Sequence, residues 1–286
     1  MSKKVCEAIN EIDKLFNVEK DGSNININYD KSLNGYCPIL KNVNNKECNK
    51  YEQVVVSAFI ALLTLFNNLD NDDEDVLENN KLAEYAILWL CYKIDQGTYK
   101  YSNLSAFYKK YIMNTEKDFV EENGANAYNS YKDIINNKIG SKTINIKIIS
   151  KFYEALQILC SIYNEDKEKN IDSTKCLQKA SEFFEKYKEL NEDPNVTKDS
   201  PYYQVWSILS TDYNNLTNEC ISKGVDSNDI PTLPDIKTTE IHIQDNGEFS
   251  TQGSEASSSS LSIASKLIPV LSMFVAIPIF LGIAYK

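Results

Sequence analysis

Arginine is absent from this 286-residue chain, histidine occurs once, and glycine and proline are scarce, at 9 and 7. Each shortage excludes something. The single histidine, His242, leaves residues 1–241 without an imidazole, so no histidine-dependent nucleophile or general base can work there. With no GxGxxG and no GxxxxGK[ST], glycine-rich phosphate loops are ruled out. No CxxC pair exists to start a zinc site, and His242 stands far from every cysteine, so no metal ligand set is expected. The acidic run at Asp70 to Asp75 fails as a calcium loop: Asp75 stands where the sharp turn needs glycine, and Lys81 where a bidentate glutamate would close the site. It reads as a solvated, helix-capping run. Thirty basic residues, all lysine, against 41 acidic ones give a formal charge of -11, and no basic stripe is offered to nucleic acid. No pair of carboxylates lies in a marked apolar setting. Neither an enzyme nor a cofactor site nor a small-molecule substrate is expected.

What is present is enough apolar residue, 42%, to bury one sizeable core. It is arranged at helical spacing. Val5, Ile9, Ile12 and Phe16 predict a helix over 3–17. Residues 18–49 lack that periodicity and read as a long loop tied down by Cys37 and Cys48. The run VVVSAFIALLTLF, within 51–69, is too short to span a bilayer and reads as a central core helix. Further helices are expected over 82–94 and 104–113, with 116–139 divided at Gly124. The last three helices carry the cleanest pattern: Ile149, Phe152, Leu156, Leu159, Tyr163; Cys176, Ala180, Phe183, Tyr187, Leu190; Trp206, Leu209, Tyr213, Leu216, Cys220. Alternating steps of three and four predict nearly antiparallel bundle packing. Ser200 and Pro201 read as N-cap and first turn of the last helix.

The seven cysteines are an odd set. Cys91 lies inside the apolar AILWLCYKI and reads as a buried free thiol, whereas Cys6, Cys37, Cys48, Cys160, Cys176 and Cys220 are disulfide candidates. Cys160 and Cys176 flank a helix-helix connection, which makes them the favoured pair. Up to three disulfides fit an oxidising location. Sequons at Asn103, Asn195 and Asn215 are near what this asparagine content yields by chance.

The division expected is a helical head over 1–225, a polar, serine-rich disordered stalk over 226–266, and one membrane helix over 267–285. The uncharged run from Leu267 to Tyr285, fenced by Lys266 and Lys286, would span about 28 Å as a helix, close to the roughly 30 Å hydrocarbon core. Ser257 to Ser260 before that run also have the spacing of a lipid-anchor signal. That route needs a secretory leader, and the charged opening MSKKVCEAINEIDKLF does not look like one.

The segments VCEAINEI, YC at Tyr36, EYAILWLCYKI at Glu84, LSAFYKKYI at Leu104, SKFYEALQILCSIY at Ser150, FFEKYKELNEDPN at Phe183, SPYYQVWSILSTDYNNLTNEC at Ser200 and DIPTLP at Asp229 resemble the PIR (Plasmodium interspersed repeat) variant antigens of the rodent-malaria CIR/YIR/BIR type. The likeness runs through essentially the whole chain. It implies an all-α ectodomain, a variable stalk, one transmembrane helix and a short basic tail, in a protein exported to the infected erythrocyte. The sequence ends at Lys286, short of such a tail, so only Lys266 and Lys286 bear on orientation. Antigenic variation and immune evasion are the implied roles. The implied partners are the membrane, antibody, and a host erythrocyte, endothelial or immune receptor. The alternative is an intracellular structural or trafficking protein in a parasite or vacuolar membrane, favoured by an anchor run so near the C-terminus that insertion would follow translation.

Overall fold

The computed structural model describes residues 1–21, 24–37, 47–69, 79–97, 100–118, 125–140, 144–164 and 173–238. Ten elements follow in order: α1 (Lys3–Leu15), β1 (Phe16–Asp21), β2 (Asn24–Tyr29), α2 (Tyr51–Asn67), α3 (Asn79–Gln96), α4 (Leu104–Tyr111), α5 (Ala125–Gly140), α6 (Ile146–Asn164), α7 (Ser173–Glu192) and α8 (Tyr203–Ser222). Short 3₁₀ turns intervene at Lys31–Tyr36, Met113–Asp118 and Ser227–Asp229. The head is therefore mostly helical.

Capping fixes several starts. The Ser2 hydroxyl accepts from the Val5 amide, and the Asn103 side chain accepts from Ala106, each meeting one of the orphan donors of a first turn. At α2 the Gln53 carbonyl reaches back to the amides of Asn49 and Lys50, at 3.0 and 3.1 Å. With Val54 to Leu63 buried on every side, α2 is the centre of the core, flanked by α1, α3 and α5. Ser57, its buried hydroxyl, donates to the carbonyl of Leu33, so the one polar group in that stretch is satisfied.

Helices α6, α7 and α8 form an antiparallel unit whose register is legible in pairs. Lys151 with Glu189 and Glu154 with Lys186 match α6 to α7. Cys176 with Cys220, Phe183 with Tyr213 (ring centroids 5.0 Å apart) and Tyr187 with Trp206 (3.7 Å) match α7 to α8. All the stripe residues of α7 and α8 are buried.

Two expectations change. Residues 16–21 and 24–29 pair as antiparallel strands, Phe16 opposite Tyr29 through Asp21 opposite Asn24, where the end of the first helix, to 17, and a loop from 18 were expected. NININY does alternate, but asparagine disfavours strands and Ile27 is exposed, so the alternation does not separate core from solvent. α8 begins two residues later than the Ser-Pro signal implies. Ser200 and Pro201 occupy a preceding turn, in which the Ser200 hydroxyl accepts from Thr197 and Tyr202 and donates to the Thr197 carbonyl.

The head also runs past 225. Gly224, at φ +97°, ends α8 in a Schellman motif, with Gly224 N–H on the Ile221 carbonyl (2.9 Å) and Val225 N–H on Cys220 (3.2 Å). Val225 is buried against the helix it has just left. Residues 226–238, assigned above to a disordered stalk, then pack back on the bundle, so the ordered head extends to 238 and the compact unit to Glu240. Among the described residues no helix is long and apolar enough to cross a membrane. The run from Leu267 to Tyr285, the serine-rich segment and His242 lie outside the described residues.

Candidate functional site

The candidate site residues of the sequence are cysteines, and the elements bring them together in an unexpected order. Cys6 on α1 bonds Cys160 on α6, Cys37 bonds Cys48 ahead of α2, and Cys176 bonds Cys220 (Cα–Cα 5.1, 5.8 and 6.2 Å). Cys91 is free and wholly buried in α3, and burial pushes its thiol far above the ordinary range. The favoured Cys160–Cys176 pairing is not made. Although the C-terminal end of α6 does lie beside the N-terminal end of α7, Cys160 points to α1 and Cys176 to α8. Helix ends that approach do not thereby share a facing side.

Two carboxylates, Asp212 buried and Asp13 partly buried, hold the helices together and escaped the sequence reading. Asp13 on α1 accepts from Trp89 Nε1 (2.9 Å) and Lys93 Nζ (2.8 Å) on α3, and from the Tyr153 hydroxyl (2.8 Å) on α6. Lys93 is buried and lies near the faces of Phe16, Trp89 and Tyr92. Asp212 on α8 accepts from the Met1 ammonium and Lys81 Nζ, both at 2.6 Å, and from the Tyr85 hydroxyl. Burial, and then the neighbouring carboxylate, push the Tyr85 and Tyr153 hydroxyls well above the ordinary phenol range. Both phenols stay neutral donors. The signal that could have found these residues is an acid inside an apolar stripe: Asp13 follows Ile12, and Asp212 sits between Leu209 and Leu216. Fully partnered carboxylates of this kind organise a core and have no free oxygen aimed at a cleft.

Two of the clefts on the bundle lie among the described residues. One, of about 430 Å³, lies among α3, α5, α6 and α8, with Ile87, Ile149 and Val205 below and Lys138 across its rim, bonded to Glu84 and Gln204. The other, of about 350 Å³, runs between α8 and residues 232–236. Neither contains a nucleophile beside a base. Among the described residues no group of three His, Cys, Asp or Glu could hold a metal ion. Of the sequons, Asn103 is engaged as a cap, whereas Asn195 and Asn215 are exposed.

What the architecture presents is a helical head with its reactive groups turned inward and its polar side chains outward. The family described as "Plasmodium variant antigen protein Cir/Yir/Bir" matches this sequence over residues 6–286. The chain belongs to that family. The Cir/Yir/Bir head also resembles a solved structure described as "Structure of a Plasmodium PIR protein ectodomain", with 29% identity, a TM-score of 0.59, and coverage of 83% of this chain and 99% of that one. No curated protein matches it. The likeness to a PIR ectodomain accounts for the helical head, and the family match takes in the residues beyond it.

Proposed function

We propose that this Cir/Yir/Bir chain is a variant surface antigen, carried on one C-terminal membrane helix and exported to the infected erythrocyte, where its helical head diverts antibody and contacts a host receptor. Family membership carries the reading. The cysteine arrangement supports it, since six thiols are spent in three bonds and the seventh is sealed in the core, a pattern suited to an oxidising exterior. The site contributes no chemistry of its own: partnered carboxylates and a sealed thiol suit a binding and display module rather than an enzyme. Recognition of antibody or receptor belongs to the exposed polar faces.

Protease treatment of intact infected red cells, followed by detection with an antibody against residues 1–238, tests this. Loss of the signal places the head outside the cell. Protection that ends only when the host membrane is permeabilised replaces the proposal with an intracellular structural or trafficking role.

A further inference from the structure

The segment after α8 has a pattern of its own. In DIPTLPDIK, Ile230, Leu233 and Ile236 recur every third residue, and all three pack partly buried against the core. Three residues per turn is the period of a polyproline II helix, and Pro231 and Pro234 hold φ near the value that this conformation needs. Ile230 itself has φ -86° and ψ 123°. An apolar stripe thus forms on an extended strap, without the internal hydrogen bonds of an α-helix.

The strap's path is fixed by four bonds. The Tyr213 hydroxyl donates to the Pro231 carbonyl at 2.7 Å. Asn191, in the last turn of α7, donates through Nδ2 to Asp235 O at 3.0 Å and accepts from the Lys237 amide at 3.4 Å. The Lys198 amide, between α7 and α8, donates to Lys237 O at 2.9 Å. The chain therefore starts from the C-terminal end of α8, turns at Gly224 and runs back to the corner where α7 meets α8. That displacement is the length of α8, roughly 30 Å at about 1.5 Å per residue. Residues 226–238, extended, have enough reach at about 3.3 Å per residue.

Beyond Val225 no residue of this strap is fully buried, in contrast to the α8 face beneath it. Few bonds and partial exposure are the marks of an element that opens before the global fold does.

We propose that residues 226–238 are a releasable latch that sets where the tether meets the head. Latched, the strap ends at the α7–α8 corner, and Cys6–Cys160 and Cys176–Cys220 lie at the opposite end of the head. Released, the head hangs from Lys223 at that opposite end, with the extra length of the strap to turn in. Tension along the downstream chain acts on the Lys237 end first and peels the strap from the corner. The part of this that concerns presentation rests on the anchored reading above, whereas the latch itself does not.

Hydrogen exchange on the full chain in detergent micelles tests the latch. In the unaltered protein the Lys198 and Lys237 amides are expected to be protected at least tenfold over free-chain rates. Leu233→Asp with Ile236→Asp should abolish that protection while the Trp206 and Tyr213 amides of α8 keep theirs. A milder variant, Asn191→Ala, should lower protection at Lys237 by several fold and leave α8 unchanged. Free-chain exchange at Lys198 and Lys237 in the unaltered protein would overturn the latch. Loss of protection spreading through α8 in both variants would also overturn it, since the strap would then be an integral part of the core. Neither result depends on which side of a membrane the head occupies, so failure here and failure of the shaving experiment are separable.

Discussion

Replacing Asp13 with alanine tests whether the buried charge network, more than the apolar stripes, locks α1 to α3 and α6. The substitution removes the acceptor of Trp89 Nε1, Lys93 Nζ and the Tyr153 hydroxyl together. Breaking a buried ion pair from one side costs about 3–5 kcal/mol, because the surviving charge is left without its partner. Asp13 itself retains some exposure, and Lys93 keeps a contact to the Phe16 carbonyl at 3.4 Å and three aromatic faces, which argues for the lower end, about 3 kcal/mol. For a domain of this size that corresponds to a fall in Tm of roughly 6–12 °C. Urea unfolding of residues 1–240, followed by circular dichroism with the disulfides intact, gives the number. A cycle with Lys93→Met should show coupling of about 2 kcal/mol, since removing both charges leaves no unpaired charge, although Trp89 Nε1 and the Tyr153 hydroxyl still lack their acceptor. A loss below about 1 kcal/mol for Asp13→Ala, or additivity within about 0.5 kcal/mol, would refute the account.

The disulfides should rank by the chain they close: separations of 154, 44 and 11 residues give about 5, 4 and 3 kcal/mol in the chain-entropy picture. Paired Cys→Ser variants measured in urea check the order, and a larger cost for Cys37–Cys48 than for Cys6–Cys160 would contradict it. Burial pushes the Tyr131 and Tyr213 hydroxyls up to about 12, so they favour the fold fully below the unfolded value near 10 and cease to do so as pH rises through 12. Phenolate absorbance should therefore rise in two stages, the second coinciding with unfolding, and a single stage near pH 10 would sink the idea. Ellman titration should find no reactive thiol in the folded protein and one after denaturation; any reaction in the folded state would mean that Cys91 is not sealed in the core.

The long stripes of α6, α7 and α8 could be read from sequence because steps of three and four leave only one face to bury. Pairing is a different kind of information. Cys160 and Cys176 are neighbours along the chain and at helix ends, but their partners are set by the azimuth of each helix in three dimensions, which spacing does not encode. The hairpin went unseen because its asparagines and its exposed Ile27 carry no burial signal. The strap was passed over because a period of three is neither helical nor strand-like, although Pro231 and Pro234 mark it. Asp13 and Asp212 looked like ordinary members of an acidic chain until their donors arrived from α3, α6 and the N-terminus.

α8 divides its residues sharply between inside and outside. Tyr203, Gln204, Ser207, Thr211, Asn214, Asn215 and Asn218 are exposed, whereas Trp206, Leu209, Tyr213, Leu216 and Cys220 are buried. A change at an exposed position away from caps and networks usually moves stability by no more than about 0.5 kcal/mol, while a buried aromatic truncation costs about 3–5 kcal/mol. Mutational drift therefore meets almost no thermodynamic resistance on the solvent face of this helix and steep resistance on the face turned to the core, so the outer surface of the head can be rewritten while its fold stays the same.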